Sequence, residues 1–129
     1  MSDQKGGLVP LPDAPYVNGA CTITNLIHGG CAGSVSVLEC LPGSTRSLHR
    51  HEDSHYLYVA EGRCLYYERP AGSREDVEPI TVLQGQMFFT PPNVEHKVTF
   101  PVRTILVSVS SASRTHEEHE ARLTRVEWP

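Results

Sequence analysis

Gly43-Ser-Thr-Arg-Ser-Leu-His49-Arg-His51-Glu-Asp-Ser-His55-Tyr-Leu-Tyr-Val-Ala-Glu-Gly62 is the stretch on which the reading of this chain turns. In an extended strand residues two apart face the same side, so His49 and His51 project together and Arg50 points away. Glu52, Asp53 and Ser54 are turn formers, and the chain is expected to reverse there. His55 then opens a second strand whose same-face neighbours are Leu57 and Val59, and a tight hairpin sets it beside His51. Three imidazoles on one apolar wall are a metal site in geometry as well as composition. Forty-one residues beyond His55, Val94-Glu95-His96-Lys97-Val98-Thr99-Phe100 alternates so that His96 faces inward with Val94, Val98 and Phe100. A lone inward histidine reads as a core residue satisfied by a backbone carbonyl. Four on the inward faces of neighbouring strands read as ligands of one divalent metal ion: His49, His51, His55 and His96.

Outward from that stretch, the apolar pattern keeps a period of two from residue 20 to 110. Strands are expected at Thr22–Ile27, Ser34–Leu41, Thr45–His51, His55–Ala60, Arg63–Glu68, Pro79–Leu83, Gln86–Thr90, Val94–Phe100 and Thr104–Ser110. Turn signals separate them, among them Pro42-Gly43, Glu61-Gly62, Ala71-Gly72-Ser73, Gln84-Gly85 and Pro91-Pro92-Asn93. Many short strands with such punctuation predict an all-β sandwich or barrel. A helix is expected only near the end, where Thr115-His116-Glu117-Glu118 fits a capping box. The organisation read from this is an extended proline-bearing arm at 1–19, a single barrel at 20–112 and a C-terminal turn or helix with a strand at 113–129.

At 129 residues and a net charge of −4, the chain has room for one domain with its own core. No run of five basic residues exists, which argues against nucleic acid and acidic membrane surfaces as partners. No apolar stretch is long enough for a transmembrane helix, and Met1 to Lys5 carries no hydrophobic start of a secretory signal. The four cysteines, Cys21, Cys31, Cys40 and Cys64, form no C-x-x-C pair. They are read as reduced, mostly buried thiols of a cytoplasmic protein. No P-loop, G-x-S-x-G, H-E-x-x-H or G-x-G-x-x-G is present.

The stretch quoted first resembles motif 1 of the cupin superfamily, G-(X)5-H-X-H-(X)3,4-E-(X)6-G, with Gly43, His49, His51 and Gly62 in register. The segment from Gly85 to Phe100 resembles motif 2, G-(X)5-P-X-G-(X)2-H-(X)3-N, through Gly85, Pro91 and His96. The two motifs span residues 43 to 100, under half the chain. The resemblance implies a double-stranded β-helix, a small jelly-roll barrel with a metal inside one mouth, and often a homodimer. Three positions depart from the pattern. His55 replaces the usual glutamate, Asn93 stands for the glycine of motif 2 and suits a left-handed turn, and Phe100 replaces the final asparagine. Four neutral imidazoles leave a divalent ion its full charge, which favours an anionic or enolate-like oxygen ligand.

Fold alone does not assign a function. The reading adopted is a metal-dependent enzyme acting on a small oxygen-rich metabolite, sugar-like or keto acid, as an isomerase, epimerase or lyase by Lewis-acid activation. An O2-dependent dioxygenase with a redox metal and a non-catalytic metal- and metabolite-binding module are the alternatives. The absence of an obvious inward Glu or Lys as general base weighs against the first. Zn, Mn, Fe, Ni and Cu all suit imidazole, so the metal is left open. Parity places Tyr56 and Tyr58 outside the site, sets Ser47 on the face of His49, and puts Arg46 and Arg50 on the outer surface.

Overall fold

A computed structural model of the chain describes residues 7–18, 21–28, 33–50, 54–110 and 124–125, with the side chains of 18, 28, 47–50, 124 and 125 outside that description. Every described element is a β-strand, in the order β1 (Tyr16–Asn18), β2 (Cys21–His28), β3 (Ser34–Cys40), β4 (Ser44–Arg50), β5 (His55–Glu61), β6 (Arg63–Pro70), β7 (Ile80–Leu83), β8 (Met87–Thr90), β9 (Val94–Phe100), β10 (Thr104–Ser110) and β11 (Thr124–Arg125). The nine strands expected from the period-two pattern are all present, with ends displaced by at most two residues. The helix expected after Thr115 falls outside the described residues.

The strands form two antiparallel sheets, one ordered β1-β2-β3-β10-β5-β8 and the other β11-β4-β9-β6-β7. Ile23, Leu38, Leu57, Val59, Phe88 and Leu106 of the first sheet and Cys64, Tyr66, Val82, Val98 and Phe100 of the second make one core. Val59, Phe100 and Leu106 are fully buried, and burying each side chain stabilises the fold by about 1.5–3 kcal/mol. This two-layer jelly roll is the all-β barrel expected from the sequence.

Tight turns hold the strands in register. Gly62, between β5 and β6, has φ +86°, and a Cβ there would collide with the Arg103 carbonyl and sit 2.8 Å from Thr104 Oγ1. Only glycine fits both the left-handed backbone and that close approach. Asn93 takes φ 61° ahead of β9, the positive φ expected of it in place of glycine.

Both tails contribute edge strands. β1 pairs with β2, and Asp13 of the arm accepts a 3.2 Å hydrogen bond from Asn25 Nδ2. β11 pairs with β4. Short edge strands leave little unpaired backbone for another chain to extend.

Two expectations need correction. Cys21 and Cys40 are direct partners across β2 and β3 and are joined in a disulfide, with Cα atoms 4.3 Å apart. That separation is typical of a non-hydrogen-bonded antiparallel pair. They are therefore not reduced thiols, and this ground for a cytoplasmic location does not hold. Cys64 is free and buried, as expected. Arg46 is the second correction. It lies opposite the core residue Val98 and is half-buried, because a register shift between Arg46 and His49 breaks strict alternation in β4. Parity carried back from His49 across that irregularity put Arg46 on the wrong face.

Candidate metal and ligand site

The buried polar side chains are unevenly placed. At one end the inner faces are mainly apolar, with Leu38, Val59, Phe100 and Leu106 beside the buried Thr104. Toward the other end the same faces carry the buried residues Asn25, Thr90, His96, Ser108 and Ser110. Burying so many polar groups together is unfavourable unless they bond to one another or to something held between them. Part of the demand is met internally, since Ser36 Oγ donates to Asn25 Oδ1 at 2.7 Å.

Register fixes where the histidines stand. On the second sheet His49 of β4 is the direct partner of His96 of β9, and His96 is in turn opposite Glu68 of β6. On the first sheet His55 opens β5 between Ser110 of β10 and Thr90 of β8. Directly opposed residues in an antiparallel ladder share a face. His96 therefore shares the inner face with Val98 and Phe100, and His55 shares it with Leu57 and Val59. Both rows lie at the end of the barrel where β4 finishes and β5 begins.

His96 is buried, and His55 is half-buried. Nε2 of His55, Nδ1 of His96 and Oγ1 of Thr90 lie inside the protein and take no hydrogen bond there, while both histidines have partners through other atoms. Of the four expected ligands, the structure thus places His55 and His96 on inner faces at the same end and brings the backbone of His49 beside His96. His51 and the turn residues Glu52 and Asp53 lie outside the described residues. Among the described residues no three His, Cys, Asp or Glu side chains form a group able to hold a metal. Imidazoles projecting among buried hydroxyls and an amide nevertheless suit a late first-row divalent ion.

The aromatic residues divide as parity requires. Tyr56 and Tyr58 are exposed on the outer face, with the Tyr56 ring 4.8 Å from that of Phe89. Tyr66 and Phe88 are inside, their ring centroids 5.1 Å apart, and the Tyr66 ring lies 6.5 Å from that of His96.

Several inner-face polar residues were missed from sequence: Asn25, Thr90, Ser108, Ser110 and Glu68. The serines had a signal, since Leu106, Ser108 and Ser110 share one parity, so an apolar face turns polar along a single strand. Glu68 is an acid on the inner-face parity of β6, opposite His96, that the sequence reading did not single out. It shares the face of Cys64 and Tyr66, is itself exposed at the rim, and accepts a 2.6 Å hydrogen bond from Tyr66 Oη. Burial and the adjacent Glu68 carboxylate together push the Tyr66 phenol well above its ordinary pKa. The phenol therefore stays protonated and acts as a donor.

Comparison with known proteins supports the fold. Residues 36–110 match the family described as "Cupin domain". No curated protein matches the sequence. Among solved structures, the capsular polysaccharide assembling protein CapF from Staphylococcus aureus is similar at TM-score 0.72 and 18% identity, over 92% of this chain and 32% of that one. The present chain thus spans about a third of CapF. An RmlC-like cupin from Shewanella frigidimarina is similar at TM-score 0.61 and 22% identity, over 92% and 96% of the two chains. A variant of oxalate decarboxylase from B. subtilis is similar at TM-score 0.70 and 12% identity, over 95% and 34%. At these identities the likeness is one of fold.

Proposed function

Because the chain belongs to the cupin domain family, we propose that it is a metal-dependent small-molecule enzyme whose one divalent ion is held by His49, His51, His55 and His96. The observation that carries this reading is the pairing of His49 with His96, at the end of the barrel where His55, Thr90 and Ser110 line the facing sheet. When bound, the ion supplies a Lewis acid that polarises a carbonyl or carboxylate oxygen of the ligand. The protein's own part is to orient and desolvate. Leu57, Phe88 and Val98 close the floor against water, while Ser108, Ser110 and Thr90 offer hydroxyls to a ligand's polar edge.

Glu68, exposed at the rim beside His96, offers a carboxylate at the edge of the site, which favours an isomerase, epimerase or lyase acting on a sugar-like or keto-acid metabolite. The homodimer implied by the family resemblance is part of the same proposal, with sedimentation as a monomer the result against it.

Elemental analysis of protein purified without added metal tests the site. One ion per chain, lost on stripping and regained with Zn, Mn, Fe, Ni or Cu, is expected. Protein that neither carries nor takes up a divalent ion would overturn the reading.

A further inference from the structure

Glu68 and Tyr66 form a positioned pair that the histidine site does not by itself account for. Glu68 is directly across the β6–β9 ladder from His96, and Tyr66 is across from Val98 one step deeper. The Tyr66 ring is buried, with its centroid 5.1 Å from that of Phe88 and 6.5 Å from that of His96, so its hydroxyl has little freedom in direction. It donates to Glu68 Oε1, which gives an exposed rim carboxylate a fixed partner. A carboxylate offers about four acceptor positions, and this phenol occupies one. A pinned acceptor beside a site that takes oxygen ligands suits a donor on the same ligand, and the donor that small oxygen-rich metabolites carry is a hydroxyl.

We propose that Glu68, oriented by Tyr66, is a ligand-contacting acceptor for a hydroxyl group, so that the site takes small hydroxy acids in preference to plain carboxylates or dicarboxylates. The inference rests on the metal reading above and deepens it by naming the ligand class. A second carboxylate on the ligand would meet Glu68 as a like charge, whereas a hydroxyl would meet it as a charge-assisted hydrogen bond. Glu68 also returns a negative group to a site whose usual motif 1 glutamate is replaced by His55. It does so from a different strand, beside His96.

The experiment compares lactate with propionate, which differ by one hydroxyl, and adds oxalate as a dicarboxylate. Each is titrated calorimetrically into metal-loaded wild type, Glu68→Gln, Glu68→Ala and Tyr66→Phe, with metal content and circular dichroism measured on every sample. In wild type lactate binds more tightly than propionate. In Glu68→Ala that preference falls about tenfold, the size of one charge-assisted hydrogen bond, while oxalate binds more tightly and metal content is unchanged. Tyr66→Phe shows a smaller loss of the same preference, because the carboxylate remains but is no longer held. Glu68→Gln keeps the shape of the side chain and reproduces the gain for oxalate, which separates charge from packing.

A lactate-to-propionate ratio unchanged in folded, metal-loaded Glu68→Ala overturns the inference and leaves the metal reading standing. So does the absence of lactate binding to metal-loaded wild type, or loss of metal from folded Glu68→Gln, which would make Glu68 a ligand of the ion. Wild type that takes up no metal overturns both readings together.

Discussion

Arg69 Nε donates to Glu95 Oε1 at 2.8 Å, and both side chains are about 93% buried, although they project from the outer face of their sheet. The two residues are direct partners across β6 and β9, and the second Glu95 oxygen accepts a 2.8 Å hydrogen bond from Gly72 N. One carboxylate thus ties the turn after β6 to the strand that carries His96. Although alternation sets Glu95 on the face opposite His96, it is buried, as few charged side chains are among the described residues.

Removing one partner of this pair leaves an uncompensated buried charge, which costs about 3–5 kcal/mol. Arg69→Met or Glu95→Gln is therefore expected to lower the free energy of unfolding by that order. The double replacement Arg69→Met/Glu95→Gln should cost clearly less than the sum of the two single ones. Urea denaturation of the three variants measures it, and additive losses would mean that the pair is not coupled.

The Cys21–Cys40 disulfide closes a loop with a sequence separation of 19. Chain-entropy arguments give such a cross-link about 3 kcal/mol. Peptide mapping without reductant should recover the two cysteines in one linked pair, and dithiothreitol should lower the denaturation midpoint by a corresponding amount. A Cys21→Ala/Cys40→Ala variant should match the reduced protein and no longer respond to reductant.

Burial pushes the Cys64 thiol from 9.0 up to about 12. The folded protein therefore keeps this proton between those values while the unfolded chain releases it. The unfolded state then binds fewer protons, so stability falls as pH rises above 9, by up to about 1.4 kcal/mol per pH unit. Tyr66 adds to the fall in the same direction once the unfolded phenol begins to ionise. Denaturation between pH 8 and 11 should show a shallower slope for Cys64→Ala than for wild type, whatever the change in absolute stability. Equal slopes would show that Cys64 ionises alike in both states.

At the proposed metal site, His55→Glu restores the residue usual in the family. Carboxylate oxygen is an accepted ligand, so the ion should be retained. The site's net charge falls by one, so anionic ligands should bind less tightly. His96→Ala removes a donor from the second motif and should weaken metal binding outright. Metal content and thermal stability of the two variants decide the matter. Loss of metal from His55→Glu with retention by His96→Ala would reverse the proposed roles.

What the sequence determined by itself is everything that repeats with a period of two or sits at a turn. The nine strands, the inward phase of Leu57, Val59, Val98 and Phe100, the positive φ of Asn93 and the inner placement of His55 and His96 follow from local backbone geometry, which acts over a few residues. Tertiary structure decided what depends on which strand lies beside which and in what register. Cys21 meets Cys40 only because β2 and β3 align those two residues. Arg46 turns inward only because an irregularity in β4 resets its phase. Arg69 finds Glu95, and Glu68 stands beside His96, only through the β6–β9 ladder. Such pairings join residues 19 to 28 positions apart, or carry alternation across an irregularity that no local pattern marks. Side-chain periodicity says which face a residue takes, whereas backbone hydrogen bonding between distant strands says which neighbour it finds there.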